Sequence, residues 1–116
     1  MTVSVAERLD HILDAIAQVK ASTAPLAFEE FAQDRLLRWG VERGLEIISE
    51  ATRSIPSDLK NAHSHISWRR IADFGNRLRH AYHDVDSLIV WKILTDNLDE
   101  LQKAVTQIKS GLGEES

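Results

Sequence analysis

Apolar residues recur three and four positions apart along most of the chain, and this spacing constrains the fold more than any other feature. It is typical of amphipathic helices, in which one stripe of side chains faces a core. No useful length of sequence alternates apolar and polar residues as a half-buried strand does. The pattern predicts an all-α protein. Its clearest stripes are Val5, Leu9, Ile12, Ile16 and Val19 near the start, and Trp91, Leu94, Leu98, Leu101, Val105 and Ile108 near the end.

The stripes and their interruptions predict an antiparallel bundle of four main helices and one short helix. Ser67 is the expected N-cap of the third main helix. The expected ranges are about 5–19, 28 or 34 to 54, 68–83, and a last helix that frays at Gly111, with a short helix at 56–62. Gly40 and Gly44 share one face, which suggests a close approach of another backbone or two tolerated glycines. Residues 1–112 form one predicted domain, and 113–116 a disordered tail.

Composition excludes several classes of protein. At 116 residues the chain is long enough for a single core. It has no Cys, so it forms neither a disulfide framework nor a thiolate metal site. We expect a cytoplasmic protein, because neither a signal peptide nor an apolar stretch of about 18 residues is visible. The net charge of −4 argues against a general nucleic-acid coat protein.

The basic charge is concentrated on the predicted third helix. From position 68 to 83 there are four Arg and one Asp. On a helical wheel Ile71, Phe74, Leu78, Ala81 and Val85 form one stripe, which must face the core. The opposite face carries Asp73, Asn76, Arg77, His80 and Asp84. Because three or four residues separate them, the side chains of Asn76, Arg77 and His80 are able to meet.

This outward face has the groups needed to bind phosphate and move a proton. Arginine offers a charged fork to phosphate oxygens, and histidine exchanges protons near neutral pH. The alternative is an ordinary solvated polar face. A metal site is disfavoured, because His80 and His83 lack the His-Glu-x-x-His pattern and no carboxylates cluster near His63 and His65. No cofactor-binding motif is present.

Several segments resemble HepT-like proteins, a branch of the HEPN superfamily of helical-bundle ribonucleases, over roughly residues 5–108. The resemblance implies a HEPN-type bundle. No single segment is specific to this family, but the whole set in this order is. The matching residues are Val41-Glu42-Arg43, Leu45 to Ala51, Ile66-Ser67-Trp68 with Ile71, then Asn76, Leu78, His80, Tyr82, Val85 and Asp86, and finally Ile89-Val90-Trp91 and Asp96-Asn97-Leu98.

The resemblance also implies partners and a modification. HepT-like proteins are homodimers whose charged helices face a shared cleft. They are the toxin half of a toxin–antitoxin module of the type VII kind. The antitoxin is an MNT-type nucleotidyltransferase that transfers AMP to a motif tyrosine, which corresponds here to Tyr82. Anionic groups added beside an RNA-binding Arg/His site would block it.

The chain departs from the family motif at Gly75. Aligning His80 and Tyr82 with the motif puts the expected Arg at position 75. Three outcomes stay open. Arg77 contacts the phosphate instead; Arg79 does so from the partner protomer; or the chain binds RNA or its partner without cleaving.

The sequence therefore supports three hypotheses about function. The first is a metal-independent endoribonuclease toxin, with His80 as general base or acid, Arg77 or Arg79 on the phosphate, and Asn76 beside them. The second is a non-catalytic module that homodimerises and binds the nucleotidyltransferase. The third is a purely structural helical protein.

Overall fold

The computed structural model describes residues 4–80 and 85–115, with side chains as far as Leu112. Those ranges are helical with no strand, which confirms the all-α prediction. The helices are α1 (Val5–Thr23), α2 (Phe28–Gln33), α3 (Arg35–Thr52), α4 (Ser57–Asn61), α5 (Trp68–Arg79), α6 (Ser87–Asp96) and α7 (Leu98–Glu115). None of the helices in the described ranges is both long and apolar enough to cross a bilayer.

Two of the predicted main helices are each divided by a single residue. Asp34 has extended backbone (φ −96°, ψ 93°), and its side chain accepts a hydrogen bond from the Leu37 N–H, so it ends α2 and caps α3. Asn97 separates α6 from α7. The apolar stripe runs unbroken through Leu94, Leu98 and Leu101, which is why its spacing did not reveal this second break.

The core lies where α1 packs against α3 and α7, and where α3 packs against α5. The stripes of α1 and α7 are buried in it, so they serve packing within the chain. The buried apolar residues of α1, α3 and α7 are Leu9, Ile12, Ile16, Val19, Val41, Leu45, Ile48, Ala51, Leu98, Leu101, Ala104, Val105 and Ile108.

Ion pairs at the surface flank the contact between α1 and α7. Lys20 pairs with Asp99, and Lys109 pairs with Asp10. The hydrogen bond from the Lys20 ammonium, reinforced by its charge, lowers the pKa of the Asp99 carboxyl below its ordinary value. Such exposed pairs contribute little to stability. The buried aliphatic side chains therefore hold this contact together.

An aromatic cluster joins α2 to α6. Phe31 is fully buried, and its ring centre lies 5.3 Å from that of Trp91. Phe28 meets the same indole edge-on at 6.0 Å. The short helix α2 is thus held by its aromatic side chains.

Neither glycine of α3 is approached by another backbone, contrary to one of the two expectations. A Cβ on Gly44 would lie 2.8 Å from the Val19 Cγ2 atom, which belongs to a side chain. A Cβ on Gly40 would meet nothing within 4 Å. Gly44 therefore admits a side chain of α1, and Gly40 is a tolerated glycine. The predicted disordered tail, 113–116, lies beyond the described side chains and stays a prediction.

Candidate functional site

The N-terminus of α5 is attached to the loop that precedes it. The Trp68 indole N–H donates to the carbonyl oxygens of Lys60 and His63, at 3.1 and 3.3 Å. Ser67 is the N-cap residue, as predicted, but its side chain makes no capping hydrogen bond. Its carbonyl oxygen accepts from the Ile71 N–H. The indole, rather than a capping hydroxyl, fixes the start of this helix.

The middle of α5 crosses α3 at Gly75. A Cβ on Gly75 would lie 1.9 Å from the Ser49 Oγ and 2.2 Å from the Ser49 Cβ. The Ser49 hydroxyl donates to the Ile71 carbonyl oxygen at 2.8 Å, which ties α3 to the backbone of α5. Position 75 therefore points into the helix crossing, where no side chain fits unless Ser49 moves. The residue at which the chain departs from the family motif is a packing residue.

The two faces of α5 lie as the helical wheel indicated. Leu78 is buried, and Ile71 and Phe74 are half-buried against the core. The predicted site residues Asn76, Arg77, Arg79 and His80 are all exposed. The helix is shorter than expected, because it ends at Arg79 and His80 is its C-cap, with the His80 N–H donating to the Asn76 carbonyl oxygen at 3.2 Å. His80 therefore lies at a helix terminus.

On one flank of α5, a carboxylate of α3 neutralises the charge of an arginine. The Arg79 Nη2 atom donates to the Asn76 Oδ1 atom at 2.8 Å, and the Arg79 Nη1 atom lies 3.5 Å from the Glu50 Oε2 atom. Glu50 also pairs with Arg53 at 3.9 Å. The Asn76 amide oxygen thus bonds to Arg79, whereas the helical spacing had placed it beside Arg77 and His80.

The other flank of α5 opens into a groove of about 570 Å³. Arg70 and Arg77 line it together with Asp73 and the half-buried ring of Phe74. Among the residues that the structure describes, neither guanidinium makes a hydrogen bond or an ion pair. Arg77 and Arg79 are therefore not equivalent, because among the described residues Arg79 is bonded to Asn76 and Glu50 and Arg77 has no such partner.

The sequence did not reveal Glu50 as a partner of the site. It lies 29 residues before Arg79, and the only local signal was its spacing of three from Arg53. Tyr82 and His83 lie outside the described residues, as do Ala81 and Asp84, which the helical wheel assigned to the inward and outward faces. Within the described ranges, no three His, Asp or Glu side chains are grouped so as to hold a metal ion.

The described geometry provides a charged donor and a proton-exchanging group on the same exposed surface. Arg77 precedes His80 by three residues, so their Cα atoms are neighbours along one face of the helix end. Guanidinium groups bind phosphate oxygens through charge-assisted hydrogen bonds. An imidazole at hydrogen-bond reach of a hydroxyl can act as a general base. The surface is suited to a phosphodiester substrate.

Comparisons with known proteins agree with this chemistry. The family model described as "Ribonuclease HepT-like" matches residues 12–108. A Thermococcus cleftensis protein named "Probable ribonuclease HepT" is 37% identical over 94 residues, which cover 81% of this chain and 86% of that protein. A Caldanaerobacter subterraneus subsp. tengcongensis protein named as a "Putative RNase" is 33% identical over 100 residues, covering 86% and 89% of the two chains.

A third relative, from Methanocaldococcus jannaschii and also named as a "Putative RNase", is 31% identical over 94 residues, covering 81% of this chain and 86% of its own length. No solved structure matches the chain. The family model spans most of the chain and includes every candidate site residue on α5. The protein therefore belongs to the HepT-like ribonuclease family.

Proposed function

We propose that this protein is a metal-independent endoribonuclease in which His80 and Arg77 act on the scissile phosphate. The observation that carries the proposal is the exposure of both side chains at the end of α5, in a chain of the HepT-like family. His80 takes the proton of the ribose 2′-hydroxyl, whose oxygen then attacks the adjacent phosphorus. Arg77 stabilises the charge that builds on the phosphate oxygens. The 5′-oxygen leaves and takes up a proton, which gives a 2′,3′-cyclic phosphate.

Cleavage of RNA in the presence of EDTA tests this mechanism. The wild type is expected to cut, and His80→Ala to lose at least 100-fold in rate, in line with the usual contribution of a general base or acid. His11→Ala is the matched control, since His11 is an exposed histidine on α1. Equal cleavage by the His80 variant and the control would refute the role of His80.

A specific observation favours a second function, that of a non-catalytic module which binds the antitoxin. The family's motif Arg is replaced by Gly75, and this position has no room for a side chain. Rates of RNA cleavage by the wild type and by Arg77→Gln together distinguish the two functions. If Arg77 contacts the reacting phosphate, this variant is expected to cleave much more slowly. If the wild type itself cleaves none of a range of RNAs, the binding module is the better account.

The proposal includes an MNT-type nucleotidyltransferase as antitoxin and Tyr82 as the residue that it modifies. The phenolic oxygen would displace pyrophosphate from the α-phosphorus of ATP and lose its proton, leaving AMP on the side chain. The chain has a single tyrosine, so any tyrosine-linked AMP must be on Tyr82. Incubation with the partner enzyme and ATP is expected to add the mass of AMP to the wild type and not to Tyr82→Phe.

We also propose that the protein is a homodimer. Large apolar side chains are exposed on the single chain, with Leu36 75% exposed and Trp39 49% exposed on α3. Exposed apolar surface of this kind often marks a subunit contact. Light scattering is expected to give twice the chain mass for the wild type and a lower mass for Leu36→Glu. Gln107→Glu, an exposed change on α7, is expected to leave the mass of the assembly unchanged.

A further inference from the structure

We infer that the groove beside Arg77 binds the nucleotide next to the scissile phosphate, with Arg70 on its phosphate and Phe74 against its base. The inference rests on the proposed function and assigns the part of the groove beyond Arg77, which the proposed mechanism does not use, to the recognition of RNA. It also assigns a base preference. The base is one that carries an exocyclic amino group.

The positions of Arg70 and Arg77 support the phosphate contact. Seven residues separate Arg70 from Arg77, which is 20° short of two full turns, so both lie on one face about 10.5 Å apart along the axis. Both line the groove, and neither has a partner among the described residues. Two free guanidiniums on one face can contact two phosphates of one strand.

The walls of the groove carry the second step. Phe74 lies between the two arginines in sequence and presents a half-buried ring to the groove. Ile93, Leu98 and Leu101, from α6 and α7, add apolar side chains to its lining. Single-stranded RNA is recognised largely through bases that stack on aromatic side chains and arginine planes. A volume of about 570 Å³ is within the range of small-molecule sites and is ample for a base.

The acidic groups of the groove carry the third step. Asp73 and Glu100 both line it, and these carboxylates would repel a phosphate. They accept hydrogen bonds from the exocyclic amino groups of cytosine, adenine and guanine, whereas uracil has no amino group. Asp73 lies between Arg70 and Arg77 along the helix, where the base of the bound nucleotide would be. The arginines of the groove are thus assigned to phosphates, and its carboxylates to the base.

Binding can be measured without cleavage by using 2′-O-methyl RNA, which has no free 2′-hydroxyl. Fluorescence anisotropy with labelled 2′-O-methyl oligomers of cytidine, adenosine and uridine is expected to show tighter binding of the first two. Arg70→Gln is expected to weaken cytidine binding at least fivefold and to lower the slope of log K against log salt by about 0.7, the value for one phosphate contact on a single strand.

Arg69→Gln is the matched control, because this exposed neighbour removes the same charge and does not line the groove. It is expected to change the affinity less than twofold. Asp73→Asn is expected to narrow the difference between cytidine and uridine oligomers, since an amide can donate to uracil oxygen. Phe74→Leu is expected to weaken the binding of all three oligomers. Its melting temperature shows whether the variant is folded.

Equal effects of Arg70→Gln and Arg69→Gln would overturn the phosphate contact. Uridine oligomers that bind as tightly as cytidine and adenosine oligomers would overturn the base preference. If Arg70→Gln changes the mass of the assembly in solution and leaves RNA affinity unchanged, the groove is a subunit contact and the inference fails. If the wild type binds as expected and cleaves no RNA, the groove assignment stands and the proposed cleavage fails.

Discussion

Two helix contacts in this molecule are built in opposite ways. In the core that α1 forms with α3 and α7, large aliphatic side chains such as Ile16 and Val105 are fully buried, and ion pairs lie at the exposed margin of α1 and α7. Where α3 meets α5, the contact is a glycine against a serine, with a hydroxyl bonded to a backbone carbonyl. The first contact depends on the volume of its buried side chains, and the second on the close approach of two helix backbones at small residues.

The two contacts differ in how far they tolerate a small change. Where large aliphatic side chains pack, loss of a single methyl group, as in Ile→Val, usually costs only about 0.5–1.5 kcal/mol. A crossing at Gly75 has no such freedom, since the first added carbon meets Ser49. The helix that carries the candidate site is positioned by the less tolerant contact. The following predictions test this contrast, beginning with the largest effect.

Removing volume from the core that α1 forms with α3 and α7 should cost the most stability. Ile16→Ala deletes a fully buried side chain and is expected to lower the free energy of unfolding by about 2–5 kcal/mol. Urea denaturation measures this loss. Affinity for RNA should change little under conditions where the variant is folded, because the crossing of Gly75 with Ser49 on α3 positions α5. Gln18→Ala, an exposed change on α1, is the control and should have a small effect. A large loss of affinity in folded Ile16→Ala would contradict the contrast.

Adding one carbon to the α3–α5 crossing should cost less stability and more function. Gly75→Ala is expected to destabilise by about 1–3 kcal/mol, the usual range for overpacking. It should also weaken RNA binding, since α5 must shift to relieve the clash. Ser49→Gly removes the atoms that the new methyl group would meet and leaves the Ser49 Cα at 3.7 Å.

The double variant Gly75→Ala/Ser49→Gly tests the cause of that loss. It is expected to be more stable than the sum of the two single changes predicts, because the clash is absent. Strict additivity would mean that the cost of Gly75→Ala comes from something other than Ser49.

The same substitution at an open position should have the opposite sign. A Cβ on Gly40 meets nothing within 4 Å, and Gly40 lies inside α3. Gly40→Ala is therefore expected to stabilise the protein by roughly 0.5–1 kcal/mol, through the lower flexibility of the unfolded chain. A melting temperature below that of the wild type would show that the outer face of α3 needs the glycine, for example at a subunit contact.

The smallest expected effect is at the margin of the α1–α7 contact. Lys20 lowers the pKa of Asp99 in the folded state, so the pair contributes stability above the unfolded pKa of 3.8. That contribution is lost as the pH falls through the lower folded value. The melting temperature of Asp99→Asn should therefore lie slightly below that of the wild type at pH 6, with the gap closing near pH 2. A gap that persists at pH 2 would rule out this ion pair as its source.

Much of the fold followed from local spacing, and much of the site did not. The stripes of α1 and α7 and the two faces of α5 are periodic in sequence, so they could be predicted. The Arg79–Glu50 pair joins residues far apart in the chain, and no periodicity reveals such a contact. Gly75 was visible as a departure from a motif, but its reason, the approach of Ser49, exists only in the folded packing.

The breaks in the helices show the same limit. Asp34 was one of two expected starting points for a helix, because its side chain is a good N-cap. Asn97 interrupts an apolar stripe that stays in register across it. Helical periodicity identifies which residues face the core and does not require that the backbone be continuous.

The hydrogen bonds of Trp68 have a consequence for spectroscopy. The chain has three tryptophans, and they occupy distinct environments: Trp39 on the exposed face of α3, Trp91 in the aromatic cluster, and Trp68 at the start of α5. The emission of an indole depends on the polarity and the hydrogen bonding around it. The Trp68 N–H is bonded to Lys60 and His63, and the residues between His63 and Trp68 include lining residues of the groove, so the fluorescence of Trp68 is expected to report ligand entry. With Trp39 and Trp91 replaced by Phe, the protein would carry one tryptophan, next in sequence to the groove residue Ser67.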